Sequence, residues 1–573
     1  MPALSILIWL PLACGLIGAL LGSGSSASST RTPAGPLAEG TRRRWSVPGL
    51  FALLGSTGAL GLAIAYLVQY GPGASGLKDV TDVVWISELG IHYKIAISGL
   101  NVALVGLTAL LFFAAVLATN LRSARSARAA GGPATGGPSA EGAAATASPY
   151  PDRPRLFYFH MMLAESAVLG AFLAQDLALF VAFFDLMLIP FYFLIGGWGT
   201  GPDRVKATIK LVIYTLVGSL LMLAAAIATG VLAGSQHGGH ITFVLSALQG
   251  LPLSKGSQEW IFLFFAAAFL VKMPAFPLHG WMPDGYRAMP IEVLMVFSGV
   301  LSKVGAYGFL AIVLPLFPQA SAHFQTLMLI LALLSILYGS AMAFTKTDAR
   351  LIAGYSSVAQ LGFITFGIFA LNPQGAQGAL LQMVNHGLVV APIFFIIALL
   401  ARRSGGSEDI RDMGGIALRA PVLAAAFLIV ALATLAMPGS ANFVGEFLIL
   451  LGVFKAKLAL AVIAFTGVVA ASVYALRLFI RSMHNRAGAE VSSREMTMLD
   501  GAVLVPVLAM IVLLALYPQG ALKRSEGSVT ASVSAAHAAL TPATATVEPT
   551  GLPRLEAPAG ESGASEPSEG APR

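Results

Sequence analysis

Five ionisable side chains stand where water is expected to be scarce. Glu165, Asp185, Lys272, Lys303 and Glu446 each interrupt a long apolar run, and His386 lies in another, within Met-Val-Asn-His-Gly. Lys210 and Glu292 sit nearer the ends of such runs. A charge at the centre of a bilayer costs about 2.5–3.5 kcal/mol on insertion scales, so one that is kept there faces a polar interior and marks an ion or proton path. Desolvation lowers the proton affinity of a buried lysine and a nearby carboxylate raises it again, so moving the carboxylate switches the lysine. A pump or an antiporter needs such a switch. Each residue also has a plainer use. Lys272, just before Met273-Pro274, could snorkel to an interface. Asp185 and Glu446 could cap backbone groups, and Glu165 and His386 could bond a neighbouring helix. Lys303, twelve residues into its run, lies too deep to snorkel easily.

The elements that must position these groups follow from composition. The chain has 573 residues, 57% hydrophobic and 11% charged, with a mean hydropathy of +0.80. A soluble domain carries about 25% charged residues, so the shortfall excludes a soluble enzyme, a nucleic-acid binder and a disordered scaffold. The net charge of +7 is scattered over short loops, which excludes a polynucleotide partner. A single cysteine, Cys14, excludes a disulfide framework, an iron–sulfur cluster and a thiolate zinc site. No metal-ligand spacing appears, His237 and His240 falling in a loop, and no glycine-rich loop would cradle a nucleotide.

What remains is an all-α, polytopic membrane protein with the lipid bilayer as its surroundings. A spanning helix needs about 20 mostly apolar residues. Fourteen candidates begin near Ala3, Pro48, Leu100, Phe157, Leu177, Ile209, Trp260, Ile291, Phe324, Leu351, Gly378, Pro421, Leu458 and Leu499. Ala3 opens a span rather than a signal peptide, because it lacks a basic leader and a small-residue cleavage site. Ten-residue alternation, the mark of a membrane barrel, is absent. With the N-terminus outside, the inner loops hold 23 lysines and arginines and the outer segments 9, which places both termini on the outer side.

Two spans, the seventh and the twelfth, are broken by proline, in LVKMPAFPLHGWMPDG after Lys272 and in LATLAMPGSANFVGEFLIL before Glu446. Interrupted helices at matching places in two halves point to inverted repeats. The expected organisation is three helices in 1–120, with a disordered loop at 23–46, and a disordered insertion at 121–156. Two inverted five-helix repeats at 157–315 and 324–482, a last helix in 483–524 and a disordered tail at 525–573 complete it.

Seven strings carry a family resemblance. They are FFDLMLIPFYFLIGGWG (183–199), KLVIYTLVGSLLML (210–223), VKMPAFPLHGWMPDGYRAMP (271–290), SGVLSKVGAYG (298–308), ARLIAGYSSVAQLGF (349–363), MVNHGL (383–388) and NFVGEFLIL (442–450). In these the chain resembles the antiporter-like subunits of respiratory complex I, bacterial NADH:quinone oxidoreductase, and among them the M type. The resemblance runs from about residue 85 to 485 apart from the insertion. It implies a proton-transfer role for the helix-five carboxylate at Asp185, paired with Lys272. It implies the same for Lys303 at the centre, Glu446 at the exit, and His386 as a link between those two.

The resemblance further implies a non-redox subunit of a translocating enzyme in the cell inner membrane. Such a subunit has no cofactor of its own and is partnered by other membrane subunits, especially the L and N types. Glutamate rather than lysine at 446 favours the M type over L, N and the large subunits of cation/proton antiporters. An antiporter subunit or a hydrogenase-type complex is the second reading, and a membrane scaffold without transport the third. Three positions depart from the family pattern: Asp185 replaces glutamate, Gln360 stands where histidine is frequent, and Ser98 where aspartate is frequent. Asp185, one methylene shorter, is expected to make a weaker or water-bridged contact to Lys272.

Overall fold

The computed structural model describes residues 3–22, 45–131, 150–236, 238–251, 253–488, 491–492 and 494–540. Apolar runs fold as helices because lipid offers backbone groups no partner outside the segment. Side-chain caps then fix where several of them begin. Asp176 accepts from the Leu179 amide at 3.0 Å, Asp348 from Leu351 at 3.0 Å and Asn372 from Gly375 at 3.0 Å. Each of the fourteen expected starts lies within five residues of a helix N-terminus. Among the described residues, twelve helices are long and apolar enough to cross a membrane. Two more are marginal: Lys255–Lys272 carries Lys255, Glu259 and Lys272, and Pro421–Thr434 has only 14 residues.

Burial sorts the helices into a centre and a rim. Every residue of Ala349–Ile368 is buried. So is 94% of the apolar stretch of Ile291–Leu316 and of Pro373–Ala401, against 33% for Val47–Gln69 and Leu458–Met483. The rim helices point side chains such as Val68 and Phe465 outward, as a lipid-facing surface requires. The central three carry Lys303, Gln360 and His386, so the polar groups are shielded from lipid by their neighbours.

Both expected breaks are present. The seventh span stops at Lys272 and resumes as Met282–Ala288. In the twelfth, Pro421–Thr434 and Ala441–Ala456 are separated by a turn in which Ala436 and Gly439 take positive φ, 51° and 89°. A third interruption was not anticipated: the fifth span divides into Leu177–Leu186 and Leu188–Trp198. Pro190 accounts for it, since its ring conflicts with the carbonyl four residues back, that of Leu186. The eighth span holds two π-turns, Phe297–Leu301 and Phe309–Val313, on either side of Lys303.

Outside the spans the helical fold carries one small two-stranded sheet. Lys78–Ile86 and Ile91–Ile97 form an antiparallel hairpin in which Val83 faces Tyr93 and Asp82 faces Lys94. Asp82 joins the strands through Lys94 at 2.8 Å and His92 at 2.6 Å. The insertion starts later than residue 121, because Val102–Gly131 continues through an alanine- and arginine-rich stretch of good helix formers. It also ends before 156: Tyr150 donates to Glu292 at 3.1 Å, and the Trp198 indole to the Asp152 carbonyl at 2.5 Å.

The tail is likewise helical over Gln519–Ala538. Its buried residues, Ser525, Val529, Ser532, Val533 and Ala536, recur with helical spacing. Ser532 bonds the Leu310 carbonyl at 2.5 Å and the Gly99 amide donates to Ser528 at 3.2 Å. The expected disorder at 23–44, 132–149 and 541–573, and the loop histidine His237, lie outside the described residues.

Candidate proton pathway

Lys303 occupies the middle. It is fully buried, and its ammonium donates to the Ser298 carbonyl at 2.5 Å and the Ser302 hydroxyl at 3.2 Å, both on its own helix. A π-turn shifts carbonyls out of the regular ladder and recurs at functional sites. Here the turn Phe297–Leu301 contains the carbonyl that Lys303 uses. No carboxylate pairs with Lys303 among the described residues.

His386 reaches this lysine because two helices touch at glycine. A Cβ on Gly387 would lie 2.6 Å from the Gly299 carbonyl oxygen, so a side chain there would push Pro373–Ala401 away from Ile291–Leu316. The next residue along, His386, is buried within electrostatic reach of Lys303, and its Nδ1 has no protein partner.

Glu446 is held firmly at one oxygen. Its Oε1 accepts from Gln360 Nε2 at 2.8 Å and Gln382 Nε2 at 3.3 Å, and Gln382 also donates to Gln360 Oε1 at 2.7 Å. Its Oε2 is buried without a partner, as are Gln382 Oε1, Asn385 Oδ1 and both side-chain polar atoms of Asn442. Buried polar atoms are nearly always satisfied, so these atoms leave hydrogen-bonding capacity open around Glu446. Gln382 was missed from sequence. Its signal was spacing, since Gln382, Asn385 and His386 share one helix face at i, i+3 and i+4. Gln360, noted only as a departure from histidine, is the main partner of Glu446.

Asp185 and Lys272 make a looser pair. They are close enough for each charge to act on the other, yet no direct ion pair joins them among the described residues. The Lys272 ammonium instead lies 4.6 Å from the Phe184 ring centroid, a cation–π contact. Asp185 is half-buried with Oδ1 unmatched.

The remaining candidates separate from this axis. Glu292 is tied to Arg122 at 3.3 Å and to Tyr150, and Lys210 to Asp284 at 2.8 Å. Glu165 is fully buried with neither oxygen matched, on the helix Pro154–Leu173 against Cys14. Ser98 lies in the turn before Val102, where its amide donates to Asn101 at 2.7 Å. No group of three or more His, Cys, Asp or Glu side chains that could hold a metal occurs among the described residues.

Residues 174–472 match the family model described as NADH:quinone oxidoreductase/Mrp antiporter, transmembrane. A curated relative from Rhodobacter capsulatus, named NADH-quinone oxidoreductase subunit M, is 33% identical over 90% of this chain and 93% of its own length. The chain belongs to this family. A second member, subunit M of Escherichia coli K12, is 36% identical over 84% of this chain and 92% of its own length. Among solved structures, a chain of respiratory complex I from Thermus thermophilus with bound NADH superposes with a TM-score of 0.77 at 28% identity. That match covers 93% of this chain and 99% of that one. As a member of the NADH:quinone oxidoreductase/Mrp antiporter family, the protein is a membrane protein with the family's helical fold.

Proposed function

We propose that Asp185, Lys272, Lys303, His386 and Glu446 carry protons along one polar axis, in a chain that is the proton-translocating membrane subunit of an NADH:quinone oxidoreductase. Lys303 carries this reading. It is wholly buried, pairs with no carboxylate among the described residues and has an imidazole at hand. A permanently charged, unpaired side chain there would cost several kcal/mol, whereas a lysine that loads and unloads a proton holds that charge for only part of a cycle.

A change of charge in a neighbouring subunit would draw Asp185 toward or away from Lys272. The altered field would pass to Lys303, and the proton would leave through His386 and Glu446. The loose geometry of the first pair supports its role as the switch. The Gln360–Gln382 clamp on Glu446 supports a fixed release point. Redox chemistry would lie in other subunits, with no cofactor held here. The neighbours would be the L and N antiporter-like subunits, in the cell inner membrane with both termini outside. Residues 157–315 and 324–482 would form the inverted repeats, with the seventh and twelfth spans as their matching broken helices, each beside a working charge.

The test is to purify the complex with Lys272→Ala or Glu446→Ala, reconstitute it, and follow proton pumping together with quinone reduction. Each variant is expected to lose at least tenfold in pumping. Normal pumping in both would leave only a scaffold.

A further inference from the structure

A cavity of about 840 Å³ opens where several spans end, away from the Lys303 axis. Its walls hold six arginines and four carboxylates. All four carboxylates are already engaged. Glu292 is bonded by Arg122 and Tyr150. Asp500 takes Arg125 at 2.9 Å and closes the capping box of Met498–Leu516 with Thr497. Glu408 takes Arg350 Nε at 2.8 Å. Glu495 caps the helix beginning at Pro421, accepting from the Val422 and Leu423 amides at 3.0 and 3.2 Å.

Arg402, Arg403 and Arg494 therefore form no direct ion pair among the described residues, although Asp500 acts on Arg402 and Arg403 at longer range. Arg402 is exposed to the cavity and donates only Nε, to the Ala398 carbonyl at 3.3 Å. Arg403 is 6% exposed and gives Nε and Nη1 to carbonyls of Arg494 and Leu399 at 2.7 and 2.6 Å. Burial lowers its pKa, so its charge stands at a cost that a bound anion would offset. Guanidinium groups match phosphate oxygens in a two-pronged fashion. The surplus of two positive charges on the wall suits a doubly charged group.

We propose that this cavity binds a phosphate group between Arg402, Arg403 and Arg494. Two sources share that chemistry. One is the headgroup of an acidic phospholipid, favoured by the position at the span ends and by wall residues such as Ile291 and Leu399. The other is a free phosphate from the aqueous side.

Hydrogen exchange on the whole purified complex tests this locally, through peptides covering 398–406 and 494–500. The complex is placed in phosphatidylcholine discs, in the same discs containing cardiolipin, and in phosphatidylcholine discs with inorganic phosphate against chloride at equal ionic strength. At least threefold slower exchange with one phosphate source is expected, together with loss of that slowing in Arg402→Gln and partial retention in Arg402→Lys. Slowing with cardiolipin assigns the site to lipid; slowing with inorganic phosphate alone assigns it to a soluble anion. Arg402→Gln removes one long hydrogen bond from an exposed side chain, so it is expected to assemble normally. Equal exchange under all conditions, or slowing that persists in Arg402→Gln, overturns the proposal.

Discussion

The two ends of the polar axis are built differently. At Glu446 two glutamines converge on one oxygen and bond each other, and all three residues are buried. At Asp185 the carboxylate is half-buried, is not bonded to Lys272, and leaves the ammonium resting against Phe184. A network with its members tied together resists rearrangement. Asp185 is held by a Ser219 hydroxyl and the Lys272 field rather than by a closed network, so it can move at smaller cost. In the proposed mechanism this contrast is the reason to assign the switch to Asp185–Lys272 and the fixed relay to Glu446.

The largest expected effect separates charge from geometry at the fixed end. Glu446→Gln keeps an acceptor for Gln360 but cannot titrate, so pumping is expected to fall at least tenfold while thermal stability stays near wild type. Glu446→Ala is expected to lose both, because the buried Gln360 amide then lacks an acceptor at about 1–3 kcal/mol, while Gln382 keeps only the Gln360 oxygen. Equal stability of the two variants would show that the clamp is not structural. Next, Gln360→Ala is expected to reduce pumping severalfold and Gln382→Ala less, following their 2.8 and 3.3 Å bonds to Glu446. The reverse order, read by the same proton-uptake assay, would move the relay to Gln382.

At the loose end, smaller effects are expected. Phe184→Leu removes a cation–π contact of about 0.5–2 kcal/mol, and a change in turnover below threefold is predicted at unaltered assembly. A loss as large as that of Lys272→Ala would mean that the ring, not Asp185, holds the lysine. Asp185→Glu is expected to do least harm. It extends the carboxylate by about 1.5 Å, one C–C bond, so activity should equal or exceed wild type. Failure to assemble would contradict the placement of Asp185 opposite Lys272.

What could be read from sequence followed the size of the energetic penalty. Asp185, Lys272, Lys303 and Glu446 announced themselves because charge in an apolar run is expensive, and Pro274 and Pro438 marked breaks because proline cannot complete the helix ladder. Gln382 raised no such alarm, since a neutral amide costs far less to bury. The π-turns beside Lys303 depend on a shift in hydrogen-bond partner that no residue type signals. The hairpin at 78–97 escaped because Val80, Val83, Val84 and Trp85 are exposed on both faces of the first strand, so no alternation of apolar and polar residues betrays it. The helix Gln519–Ala538 was hidden for the opposite reason, its buried stripe consisting of serine, alanine and valine with little hydrophobicity to detect.

In the proposed pathway Lys303 joins the two ends, and the account stands or falls on it. The most direct measurement is proton pumping per assembled complex in proteoliposomes containing Lys303→Ala, with quinone reduction followed in the same sample. The account predicts a loss of pumping of at least tenfold at wild-type assembly. Full pumping by that variant would contradict it, whatever the residues at either end then do.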